Sequence, residues 1–121
     1  MTTIERAQSF IDIMMKTAPE FGMDPADIGV YVQPQHHGVS CSVEFTIAFD
    51  EKDAQDRKNA LALFDEASEK LSHAGAFYAR PYGKWARLQY NKDAQTTIMI
   101  RRLKDIFNPK NILNPGKLTD Y

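Results

Sequence analysis

The chain has 121 residues, 43% of them hydrophobic, long enough to bury a core of its own, and is read as one domain over 1–121. Its 15 basic and 16 acidic side chains leave a net charge of −1. No global field steers such a chain to nucleic acid or an anionic membrane, and neither is expected as a partner. The single cysteine, Cys41, excludes an internal disulfide. With no partner thiol inside its alternating apolar run, it suits a small buried residue better than a reactive one.

The first residues, Met1 to Arg6, lack the basic start and apolar stretch of a signal peptide, and no window reaches membrane-spanning length, so the expected location is the cytoplasm. Thr2 or Thr3 can cap a first helix whose apolar residues, Ile4, Ala7, Phe10, Ile11, Met14 and Met15, recur at helical spacing to about Thr17. Phe21 to Pro25 is a turn region in which Asp24 can open a short helical turn. Ile28, Val30 and Val32 alternate with Gly29, Tyr31 and Gln33, predicting a strand that ends at Pro34. Val39, Cys41, Val43, Phe45, Ile47 and Phe49 form a longer period-2 run. The short glycine-containing connector Pro34 to Gly38 makes the two strands an antiparallel hairpin.

A second long helix is predicted from Asp53 to His73, with Ala60, Leu61, Phe64, Ala67 and Leu71 on its apolar face and Gly75 as its stop. Ala76 to Ala79 reads as extended, and Pro81-Tyr82-Gly83 as a bend. A last helix starts near Asp93 and carries Ile98, Met99, Leu103, Ile106 and Phe107 to a tail rich in proline. The predicted class is α+β: a small antiparallel sheet with helices on one face, ferredoxin-like. In the tail, Asn108-Pro109 and Asn114-Pro115 stop the helix, and Gly116 can take a positive φ. Ile112, Leu113 and Leu118 then need an apolar surface, so 107–121 is expected to be a docking element rather than a frayed end.

Charge is unevenly spread: Glu44 to Asp56 is mostly acidic, whereas Arg101, Arg102, Lys104, Lys110 and Lys117 make the end basic. A solvated face accounts for this better than contact with an acidic partner or a phosphate. His36 and His37 are adjacent in the hairpin turn, where an extended backbone points them apart, and no metal site is expected. One of them can face a substrate. His73, at a helix end where the dipole favours a cation, needs no functional explanation. The densest constellation runs from Gly75 to Trp85, setting Tyr78, Tyr82 and Trp85 among the cations Arg80 and Lys84 around a bend. An arginine fork beside phenolic hydroxyls suits a carboxylate or phenolate, with the rings as an apolar wall. The competing reading has the rings closing a sheet edge and Arg80 pairing with a local acid.

The stretch GAFYARPYGKWARLQYNKDAQTTIMIRRLKDIFNPKNILNPGKL, Gly75 to Leu118, resembles the end of the C-terminal domain of FAD-linked oxidases of the vanillyl-alcohol oxidase and p-cresol methylhydroxylase type. VYVQPQHHGVSCSVEF resembles that domain's substrate-side strands more weakly. The resemblance implies a substrate-cap domain or subunit of an FAD-dependent oxidoreductase acting on a small hydroxy acid or phenolic alcohol. It implies that Tyr78 and Arg80 face the substrate; the residues themselves add Tyr82, His36 and His37 as further candidates. No catalytic residue is assigned. The tail would return to the flavin domain, with Asn114 and Gly116 as contacts. In phenol-oxidising members the tyrosine and arginine are adjacent, whereas Ala79 separates them here, which leaves hydroxy acids equally open. None of the 6 glycines forms a pyrophosphate loop. FAD is therefore expected to come from a partner domain or chain. The alternative is a self-contained α+β module that dimerises through its sheet and binds a small ligand or mediates assembly.

Overall fold

The computed structural model describes residues 1–90, 92–113 and 115. These fall into two compact units, Met1–Phe77 and Tyr78–Tyr121.

The first unit is built on a sheet of three strands, β1 (Thr2–Thr3), β2 (Ile28–Gln35) and β3 (Ser40–Ile47), in the order β1-β3-β2. Both pairings are antiparallel, with Thr2 opposite Cys41, and with Ile28, Val30, Val32 and Pro34 opposite Ile47, Phe45, Val43 and Cys41. Because side chains alternate across a strand, this register puts that apolar set on one face. On the other face Gly29, Tyr31, Gln33 and Gln35 oppose Thr46, Glu44, Ser42 and Ser40. The expected hairpin is present. The second strand stops at Ile47, short of Phe49, which is exposed, and Val39 belongs to the turn.

Two helices cover the apolar face, α1 (Ala7–Thr17) and α2 (Ala54–His73). Met14, Ala18, Met23, Ile28, Ala60, Leu63 and Ala67 form one buried cluster, and Phe45 and Ile47 pack against it from the sheet. The α1 seam, Ala7, Phe10, Met14 and Thr17, has the three-and-four spacing of a single helix face. The helix does not begin at Thr2 or Thr3 as expected: those residues pair with β3, and a 3₁₀ turn, Ile4–Arg6, intervenes. Backbone pairing to Cys41 and Ser40 satisfies amide groups that a helix start would leave open.

Asp53 caps α2, its carboxylate accepting from Gln55 N at 2.8 Å and Asp56 N at 3.4 Å. The buried stripe is Ala60, Leu63, Ala67, Ser68 and Leu71. Leu61 and Phe64, expected inside, are 61% and 37% exposed. Small alanines let α1 approach along the 60-63-67-71 row, which turns Leu61 away. Lys70 crosses to the turn after α1, donating to Glu20 at 2.9 Å and to Thr17 Oγ1 at 3.3 Å. This half-exposed ion pair is worth at most about 1 kcal/mol. Gly75 has φ +94°, in the left-handed region that lets the chain leave α2, as its sequence position implies.

The segment from Ala76 is not a regular strand. Phe77 nevertheless exchanges both main-chain hydrogen bonds with Met1, at 2.9 and 2.7 Å. The order along the sheet becomes Phe77, β1, β3, β2, a ferredoxin-like arrangement whose fourth strand is reduced to one rung. The α+β class and the helices on one sheet face are therefore as expected.

The second unit contains α3 (Lys84–Tyr90) and α4 (Ala94–Phe107). The sequence reading has no counterpart of α3. It is short, and its start lacks a recognisable cap, so only the Trp85 and Leu88 spacing hints at it. Asp93 caps α4 as expected, accepting from Gln95 N at 3.3 Å and from Thr96 N at 2.9 Å. Thr97, buried in the first turn, donates to Tyr90 O at 2.6 Å and ties the two helices together.

Candidate functional site

Tyr78, Trp85 and Arg80 assemble the most site-like part of the second unit. Tyr78 stacks on Trp85 with ring centroids 4.9 Å apart and planes 8° from parallel. Its backbone N–H points to Gln89 Oε1 at 3.5 Å, a weak contact that nevertheless places the bend over α3. A helical start at Lys84 follows from Trp85 and Ala86 donating to Tyr82 O and Gly83 O, each at 3.1 Å. The bend thereby becomes a shoulder that leads into α3 and carries a stacked aromatic pair.

Arg80 projects from that shoulder, exposed, and among the described residues no acid pairs with it. The local ion pair of the competing sequence reading does not form there. Tyr82 is 65% exposed at the bend. Arg80 stands two residues from Tyr78 in the chain; a guanidinium offers two parallel donors and the stacked pair an apolar wall, elements that can orient a planar or carboxylate-bearing molecule. Tyr78, Arg80 and Tyr82 stand out in the sequence, whereas Gln89 does not, because only the helix α3 brings it back to the bend.

His36 and His37 lie in the β2–β3 turn of the first unit. His37 has φ +58° and is exposed, and Gly38 follows at φ +81°. Two successive left-handed residues reverse the chain here, a conformation that glycine takes freely and histidine tolerates at some cost. Among the described residues no group of three or more His, Cys, Asp or Glu could hold a metal. Cys41 is fully buried in β3, with its thiol 3.8 Å from Thr3 O, as a small core residue would be. No helix among the described residues is long and apolar enough to cross a membrane.

Beyond α4, Asn108 organises the tail. Its side-chain carbonyl accepts from Ile112 N at 2.9 Å and Leu113 N at 3.1 Å, while its amide donates to Leu113 O at 2.9 Å. Asn111, at φ +48°, completes the turn by donating to Asn108 O. The clasp holds Ile112 and Leu113 outward, 71% and 65% exposed, next to Phe107 at 78%. Asn114, Gly116 and Leu118 lie outside the described residues.

The starts of α2 and α4 offer no free cradle to the phosphates of a flavin dinucleotide. A helix start is the ordinary cradle for such a group. At α2 and α4, however, Asp53 and Asp93 already accept the leading amides and put a carboxylate where a phosphate would sit.

The family model for FAD linked oxidases, C-terminal domain, matches residues 35–118, more than half of the chain. The chain belongs to that family, which carries with it use of FAD and an FAD-binding domain as partner. No curated protein and no solved structure matches it.

Proposed function

We propose that the chain is the substrate-side part of an FAD-dependent oxidoreductase of the vanillyl-alcohol oxidase and p-cresol methylhydroxylase type, and that it receives its flavin from a partner domain or chain. The flavin supplies hydride acceptance; this chain supplies binding and orientation. Arg80 holds the substrate's anionic group, the Tyr78 hydroxyl hydrogen-bonds beside it, and the Tyr78–Trp85 pair forms the wall on which the substrate lies. Tyr82 is a further substrate contact, and Asn114 and Gly116 meet the flavin domain. The substrate is a small hydroxy acid or a phenolic alcohol, and the setting is the cytoplasm.

The observation that supports this reading is the stacked Tyr78–Trp85 pair, two residues along the chain from an exposed Arg80 that no acid pairs with among the described residues, in a chain matched by the family over 35–118. Its test uses the one tryptophan of the chain, Trp85. With the flavin-bearing partner bound, titration with a small 2-hydroxy acid or a 4-hydroxybenzyl alcohol should change Trp85 fluorescence saturably, and Arg80→Ala should abolish the change. Turnover without any such response would move the substrate elsewhere.

A further inference from the structure

The outer margin of the sheet in the first unit carries exposed apolar side chains. Strand β2 ends the order β1-β3-β2, so among the described residues nothing pairs with its outer edge. Its eight residues, IGVYVQPQ, carry no charge in a chain that is 26% charged. Sheet edges are ordinarily guarded by charged side chains, and this one is not. Val30 and Val32 share the face of buried Ile28, yet they are 38% and 36% exposed. The helices cover β3 and leave the β2 margin open on its apolar side.

We infer that β2 is an interface for a second copy of this chain, joined edge to edge about a two-fold axis at Tyr31 into one continuous antiparallel sheet. Three observations select this occupant. An isologous contact sets the strand against a second copy of itself, so a strand with charges of one sign would face that same charge, and this uncharged one faces none. Side chains on one face stay on one face only when paired positions have the same parity, and the two-fold at Tyr31 meets this condition. It places Val30 of one copy opposite Val32 of the other, twice, so that the exposed valines cover each other. Pro34 has no N–H for β3, so its phase, with Ile28, Val30 and Val32, is the one whose backbone groups face the open edge. Those are the residues this register brings into hydrogen-bonded pairs, with Pro34 at the periphery, where its missing donor matters least.

A single added strand pair is a small interface, so association should depend on concentration. Sedimentation of the full chain from about 1 to 200 µM, which brackets micromolar dissociation constants, should show a monomer giving way to a dimer. Tyr31→Lys is the discriminating variant. In the monomer its charge faces Glu44 across the hairpin, which preserves folding. In the dimer it meets itself at the axis. A folded Tyr31→Lys chain, checked by circular dichroism, should remain monomeric throughout the range. Tyr31→Cys should in turn be captured as a disulfide-linked dimer under mild oxidation, and Gln33→Cys should not. A wild-type chain that stays monomeric, a Tyr31→Lys chain that dimerises as well as wild type, or capture through residue 33 instead of 31 would each overturn the inference. None of these readouts involves flavin or substrate, so they stand apart from the oxidoreductase reading.

Discussion

Arg80 and Asp93 show how differently two exposed charges act in one unit. Asp93 has its partners already. The Thr96 hydroxyl at 2.6 Å, then the Thr96 and Gln95 amides, hold its carboxyl below the usual carboxylate range. A group whose pKa is lowered on folding contributes above its ordinary value and loses that contribution as pH falls through the lowered one. The start of α4 should therefore be intact at neutral pH and fray only below about pH 4. The Thr96 amide resonance followed by NMR during acid titration reports this, and a midpoint at or above the ordinary aspartate value would contradict it. Arg80 is exposed and has no such partner among the described residues. In the complete enzyme Arg80→Ala should lower kcat/KM about 30- to 1,000-fold through loss of a charge-assisted bond in a desolvated site. An unchanged specificity constant would return Arg80 to the solvent.

Among the elements, those with a strong period and an unambiguous cap were legible in the sequence. The hairpin, α2 behind Asp53 and α4 behind Asp93 all follow from alternation or from aspartate at the helix start. What escaped depended on distant partners. Thr2 and Thr3 look like helix caps until Cys41 and Ser40 present a strand edge to them. Leu63 looks no better placed than Leu61 until α1 selects a row of α2. That row makes Leu63 the most enclosed large side chain, and Leu63→Ala should cost about 2–5 kcal/mol in denaturant unfolding. Leu61→Ala should cost much less. At the candidate site, composition exposed the aromatic and cationic residues, but the Tyr78–Trp85 stack required α3, which is too short to announce itself. The tail is an element of the same kind. Clasped by Asn108, it holds Ile112 and Leu113 in place before any partner arrives, which reduces the entropy lost on docking. Truncation after Ile106 should leave the helix and sheet signals nearly intact in circular dichroism while abolishing association with the flavin-bearing partner in a pull-down. A truncated chain that unfolds would place the tail in its own core instead.

At the scale of the whole molecule, the chain is two compact units: a sheet with two helices up to Phe77, and beyond it a helical unit with α3, α4 and the start of the tail. The first unit is closed by the rung between Met1 and Phe77, residues 76 apart in the chain. That closure has a kinetic meaning. Helices and the β2–β3 hairpin join neighbours in sequence and can form early, whereas a contact across so long a loop is reached only once the intervening chain is compact. The rung is thus expected to be absent from the folding transition state. Gly75→Ala, which forces a side chain onto a backbone at φ +94° just before the rung, should then speed unfolding and leave the refolding rate nearly unchanged in stopped-flow chevrons. A slower refolding arm would mean that the two ends meet first. If they meet last, they also part first, and the earliest breach in this fold opens where its outermost strand is a single residue wide.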